Sequence, residues 1–105
     1  MFPRIYDAQK GNVPYNGHDR YTVVFIFPKK AQKLNNARGM YITCCPSKYD
    51  DTIYVCEQNY IPFGERINGE TLFFGKRVKI ESLPLFFQKW INDKMEVITN
   101  WDEIK

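Results

Sequence analysis

Residues 21–27 read Tyr-Thr-Val-Val-Phe-Ile-Phe, an unbroken run of β-branched and aromatic side chains that ends at Pro28. Such side chains favour β-strands, and a run without polar alternation is typical of a strand that is covered on both faces. Proline cannot donate a hydrogen bond to a sheet, so the strand is expected to end there. The stretch therefore predicts the central strand of a sheet.

Two segments that follow are predicted to form a hairpin. Residues 40–45 and 52–58 are typical of strands, and residues 46–51 between them are rich in the Pro, Ser and Asp that favour turns. In the second strand, apolar or aromatic side chains point to both sides, so this strand too is expected to be covered on both faces. These side chains belong to Ile53, Tyr54, Val55 and Cys56.

A second hairpin is predicted at Asn68-Gly69, because this pair tolerates the positive φ of a type I′ turn. Residues 72–81 continue with a glycine-centred turn or bulge, after which Val78 and Ile80 are expected to point inward. Four to six strands are predicted in total, mainly within residues 21–81.

The last long segment, residues 82–98, predicts an amphipathic helix packed on the sheet, with Ser82 as its N-cap. An alternative ends this helix near Asn92 and places a last edge strand at residues 96–101. The apolar side chains at helical spacing belong to Leu83, Phe86, Phe87, Trp90, Ile91, Met95 and Ile98.

The two remaining segments carry weaker signals. Residues 1–18 mix Pro and Gly with scattered apolar side chains, a pattern of turns and short extended pieces that indicates an irregular N-terminal arm lying on the domain. Residues 28–39 fit a short helix or an ordered loop equally well, with a proline at the possible helix start and Gly39 at the possible end.

Composition limits the class of protein. The chain has 105 residues, of which 44% are apolar and 16% aromatic, so it can fill the core of one domain spanning residues 1–105. Intrinsic disorder and a disulfide-dense scaffold are excluded. The longest apolar run is too short to span a membrane and the start lacks a signal peptide, so a cytoplasmic protein is expected. The expected fold class is α+β: a small single domain with a twisted antiparallel sheet and a C-terminal amphipathic helix on one face.

The net charge of +3 conceals an uneven distribution. Residues 1–48 carry eight Lys and Arg against two Asp, a net charge of +6. Residues 49–105 carry seven against ten acidic residues, a net charge of −3. The basic half indicates either a surface for an acidic partner or a half that neutralises the other within the fold.

The three cysteines predict neither a metal site nor a stable disulfide. Cys44 and Cys45 are adjacent, so in a strand they point to opposite faces and at most one can share a site with Cys56. The paired Cys-x-x-Cys spacing of zinc sites is absent. Buried free thiols are expected, since a reducing cytosol would not keep a disulfide to Cys56.

No pattern in the chain predicts catalysis or a cofactor. His18 is the single histidine, and an enzyme would require it to meet a cysteine in one pocket. The carboxylate pairs Asp50-Asp51 and Asp102-Glu103 are explained by a turn and a solvated tail. Glycine-rich phosphate loops are absent from the sequence, so no small-molecule cofactor is expected.

Binding without catalysis is therefore the predicted function, with a protein partner or self-association through a basic, tyrosine-containing surface. The alternative is a β-rich domain that binds single-stranded nucleic acid with basic and aromatic side chains. No membrane partner is expected. The predicted contact residues are Lys29, Lys30, Lys33, Arg38, Tyr41 and Tyr54.

Overall fold

A computed structural model describes residues 3–11, 13–64 and 75–100. The strands in these ranges form an antiparallel sheet with the spatial order β4-β3-β2-β1-β5. With helices added to this sheet, the structure confirms the α+β prediction. The elements are β1 (Arg4–Asp7), β2 (Tyr21–Ile26), α1 (Lys29–Asn35), β3 (Gly39–Pro46), β4 (Ile53–Ile61), β5 (Lys76–Val78), a 3₁₀ turn (Ile80–Ser82) and α2 (Leu85–Asn100).

β2 is the central strand, as its composition predicts. It pairs with β1 on one side and β3 on the other, and Val23, Val24 and Phe25 are fully buried. One face of the sheet, here called the helix face, shares the main core with α2 through Phe87 and Ile91. The sheet residues of that core are Ile5, Tyr21, Val23, Phe25, Met40, Ile42 and Cys44. The opposite face, here called the second face, buries a smaller cluster of Tyr6, Val24 and Ile61.

The segment after β2 forms a short helix rather than a loop. α1 follows Pro28 directly and ends at Asn36, which adopts the left-handed conformation that terminates helices. Its buried side chain is Ala31, which joins the main core. α1 therefore lies on the helix face of the sheet.

Part of the expected N-terminal arm is a strand, which corrects the prediction of an irregular segment over residues 1–18. β1 lies inside the sheet and pairs with both β2 and β5. Its four residues are too few for side-chain alternation to be recognised in a sequence. The pairing, rather than the local composition, makes Arg4–Asp7 a strand.

The start of the C-terminal helix also differs from the prediction. Ser82 lies in the 3₁₀ turn, where its hydroxyl donates a hydrogen bond of 2.6 Å to the Lys79 carbonyl. The Pro84 carbonyl accepts the first helical hydrogen bonds from Phe87 and Gln88. α2 therefore begins at Leu85, and it continues to Asn100 rather than leaving the helix near residue 92.

β4 corrects the expectation that its strand is covered on both faces. It lies at the edge of the sheet, and Tyr54, Val55 and Cys56 are exposed, with Val55 at 48%. Ile53 alone of the four predicted positions packs against the main core. The predicted hairpin at 68–69 and the strand residues 72–74 lie outside the described residues.

A β-bulge interrupts the pairing of β4 with β3. Thr43 pairs with Glu57 and Cys44 with Val55, so Cys56 is an additional residue without a partner of its own. The additional residue shifts the alternation of side chains by one position. Two residues an even number of positions apart normally share a face of the sheet. When one precedes Cys56 and the other follows it, they lie on opposite faces.

A buried ion pair fixes the end of β1. Asp7 is fully buried, and its two carboxylate oxygens accept hydrogen bonds of 3.0 Å from Nε and Nη2 of Arg20. The Gln9 amide donates a third hydrogen bond of 3.0 Å to the same carboxylate. This hydrogen bonding raises the pKa of the Arg20 guanidinium above its usual value. Asp7 thus ties the loop before β2 to the sheet.

Candidate binding surface

The predicted basic residues lie on α1 and just after it. Lys29, Lys30 and Lys33 are exposed on α1. Arg38 is half-buried immediately before β3, and its amide donates a hydrogen bond of 2.8 Å to the Ile61 carbonyl at the end of β4. α1 and its neighbouring segment therefore form a basic surface beside the C-terminal end of β4.

The two predicted tyrosines lie on the second face of the sheet, away from α1. Tyr41 is half-buried, and its hydroxyl accepts a hydrogen bond of 3.2 Å from the Asn59 side chain. Tyr54 pairs with Cys45, and its ring stacks on His18 with centroids 4.9 Å apart. The lysines lie on α1, on the helix face, whereas the two tyrosines lie on the second face. The structure therefore does not bring the six predicted contact residues into one site.

The tyrosine that lies beside α1 is Tyr60, which the sequence did not single out as a contact residue. Its hydroxyl donates a hydrogen bond of 3.3 Å to Oδ1 of Asn35, and its ring meets Phe27 edge-on with centroids 6.2 Å apart. The side chain is still 55% exposed. In an uninterrupted strand, Tyr54 and Tyr60 would share a face, so the bulge at Cys56 is the reason for the difference.

The outer side of β4 presents backbone hydrogen-bonding groups. In an antiparallel strand, the backbone N–H and C=O of one residue point towards the same neighbouring strand. Those of the next residue point to the opposite side. The Glu57 amide donates to Oγ1 of Thr43 and the Ile61 carbonyl accepts from Arg38, so both face β3. Gln58 and Tyr60 therefore direct theirs outward, where no strand of the described residues pairs with β4.

His18 and Cys45 do line one cleft, which is the geometry that an enzyme of the Cys–His type would require. The cleft has a volume of about 330 Å³ and is completed by the β3–β4 turn and Tyr54. Burial raises the pKa of the Cys45 thiol, although Arg20 and Lys48 oppose this effect. A nucleophilic cysteine needs the opposite shift, so the direction of this shift does not favour a thiolate in the cleft.

The three thiols differ in exposure, which corrects the expectation that all are buried. Cys44 is buried, Cys45 is half-buried and Cys56 is exposed at the bulge. Burial also raises the pKa of Cys44 to about 12, so this thiol is protonated at neutral pH. No group of three or more potential metal ligands is found in the ranges that the structure describes.

We expect a water-soluble thiol reagent to modify Cys56 rapidly in the folded protein and Cys44 only after unfolding. The reagent needs access and a thiolate, and Cys44 offers neither. The rate of modification, followed by mass spectrometry with and without urea, checks this. Cys56→Ser should remove the fast phase, and a fast phase that survives this substitution would contradict the assignment.

The chain matches no protein-family model, no curated protein and no solved structure. None of the described helices is long and apolar enough to cross a membrane.

Proposed function

We propose that this protein is a non-enzymatic binding module that recognises a protein by adding an extended segment of the partner to the outer edge of β4, with which no strand of the described residues pairs. The observation that carries the proposal is the outward direction of the backbone groups of Gln58 and Tyr60. Exposed sheet edges bind extended peptides through such groups, while neighbouring side chains supply specificity.

The side chains around this edge suit protein contact. Tyr54, Val55 and Tyr60 are each more than two-fifths exposed, and they lie on a strand with a single charged residue, Glu57. Tyrosine supplies contact area together with a polar group, and charged residues are depleted in the centres of interfaces. The basic residues Lys29, Lys30, Lys33 and Arg38 lie on or just after α1, and a hydrogen bond from Tyr60 to Asn35 joins that helix to the end of β4.

Single-stranded nucleic acid remains the alternative partner, with less support from the geometry. Stacking of bases requires open aromatic faces. The ring of Tyr54 already stacks on His18, and Tyr41 is half-buried with its hydroxyl bonded to Asn59. The two predicted aromatic contacts therefore do not form an open stacking platform.

Replacing Gln58 with proline is expected to weaken partner binding at least tenfold. Proline removes the outward N–H and places its ring at the edge, yet it leaves the pairing towards β3 intact, since edge strands tolerate proline where the N–H faces solvent. The measurement is the affinity of peptides selected from a displayed random library against the unaltered protein, compared between this protein and Gln58→Pro.

Gln58→Ala is the matched control, because it shortens the same side chain and keeps the N–H. Peptides that bind at the edge should retain affinity for Gln58→Ala and protect the amides of Gln58 and Tyr60 from hydrogen exchange. If selected peptides bind Gln58→Pro as tightly as the unaltered protein, β4 is not the binding edge. Circular dichroism and urea unfolding verify that both variants are folded.

A further inference from the structure

The basic surface beside β4 is not neutralised by its own segment of chain. Residues 20–48 contain six Lys and Arg and no Asp or Glu. Three of these, Lys29, Lys30 and Lys33, are exposed on α1, and no carboxylate of the described residues forms an ion pair with them. Lys29 and Lys33 are four positions apart, so they share one side of the helix.

The helix that carries these lysines is held against the same end of β4 that has the outward backbone groups. The hydrogen bond from Tyr60 to Asn35 and the contact of Tyr60 with Phe27 join α1 to the strand. The bond from the Arg38 amide to the Ile61 carbonyl joins the following segment to the strand end. A peptide that pairs along the edge and extends past Ile61 would therefore pass beside α1.

We propose that the partner segment is an acidic extended peptide, which pairs with the edge of β4 through its backbone while its Asp and Glu side chains contact Lys29, Lys30 and Lys33. This inference rests on the proposed function and adds the chemistry of the partner. Complementary charge at the margin of an interface speeds association and selects among partners.

The test uses two synthetic fluorescent peptides with the same core of alternating Val and Thr. One peptide has glutamate flanks on both sides of the core, and the other has glutamine flanks. We expect the glutamate peptide to bind more tightly, and the charge reversal of all three lysines (Lys29→Glu, Lys30→Glu and Lys33→Glu) to lower its affinity about tenfold. The affinity for the glutamine peptide should change less than about twofold, as measured by fluorescence anisotropy at two salt concentrations.

A matched variant controls for net charge. Lys10→Glu, Lys76→Glu and Lys79→Glu together reverse three exposed lysines away from β4, two of them at or next to β5 at the other end of the sheet. This variant should retain most of the affinity for the glutamate peptide. An equal loss in both triple variants would overturn the inference, because it would show attraction by total charge alone.

The remaining outcomes separate this inference from the proposed function. Suppose that both peptides bind with equal affinity, that reversing the α1 lysines has no effect, and that Gln58→Pro abolishes binding. The edge of β4 is then the binding site, but the inference of an acidic partner is wrong. If the glutamate peptide binds Gln58→Pro unchanged, the edge itself is wrong. Binding of a labelled single-stranded oligonucleotide in preference to either peptide would identify nucleic acid as the partner. Dimerisation that Gln58→Pro abolishes would identify a second copy, and either result overturns the inference.

Discussion

Replacing Phe87 with alanine is expected to lower the free energy of unfolding by about 4 kcal/mol. Phe87 has no exposed surface and lies in the main core between α2 and the sheet. Its ring meets the Tyr21 ring edge-on, with centroids 5.3 Å apart, and lies tilted against the Trp90 ring, with centroids 6.0 Å apart. The substitution removes these contacts and leaves a cavity that the rigid sheet cannot close. Urea unfolding followed by circular dichroism measures the loss.

Leu85→Ala is the control, because this residue lies on the same helix with 81% of its side chain exposed. Its effect should stay within about 0.5 kcal/mol. A similar loss for both variants would indicate that the substitutions act on helix formation rather than on the core. A loss below about 1 kcal/mol for Phe87→Ala would contradict the packing of α2 on the sheet.

Replacing Asp7 with asparagine is expected to cost about 3 kcal/mol of stability. Asparagine keeps the shape of the side chain but removes the charge that the Arg20 guanidinium binds through two hydrogen bonds. Its amide NH₂ would also face the guanidinium, so one donor would oppose another. Because Arg20 is about one-third exposed, water recovers part of the loss, and the expected cost lies at the lower end for buried pairs.

Asp93→Asn provides the comparison for this second prediction. Asp93 accepts a hydrogen bond of 2.9 Å from Lys89 on the surface of α2, where both side chains are exposed. Such an exposed pair contributes little to stability, because water screens the two charges. Urea unfolding of the two variants should therefore give clearly different losses, and equal losses would show that Asp7 contributes no more than a surface carboxylate.

The parts of the fold that the sequence predicts are those with continuous apolar patterns. The Tyr21–Phe27 run gives the central strand, and the spacing of Phe87, Ile91 and Ile98 gives the buried side of α2. In both segments, the side chains themselves supply the free energy of burial, so local composition and tertiary structure agree. The start of α2 is less well predicted, because the Ser82 hydroxyl bonds to the Lys79 carbonyl within the 3₁₀ turn instead of capping the helix.

The parts that the sequence does not predict depend on contacts between distant residues. Asp7 and Arg20 are thirteen positions apart, and neither residue type signals the ion pair. β1 is a strand because two other strands pair with it. Likewise, Tyr60 rather than Tyr54 lies beside α1 because of the bulge at Cys56. No residue type in the strand predicts a bulge of this kind.

The bulge at Cys56 also sets a length scale for whatever the edge of β4 binds. A chain that pairs in one register with the straight part of the strand can span only Glu57–Ile61, five residues or about 17 Å, before the pleat changes phase. A ligand that continued past this point would need a matching irregularity of its own. The edge of β4 therefore suits a short peptide segment better than a long one. It is also a poor template for the indefinite, in-register stacking of strands from which fibrils grow.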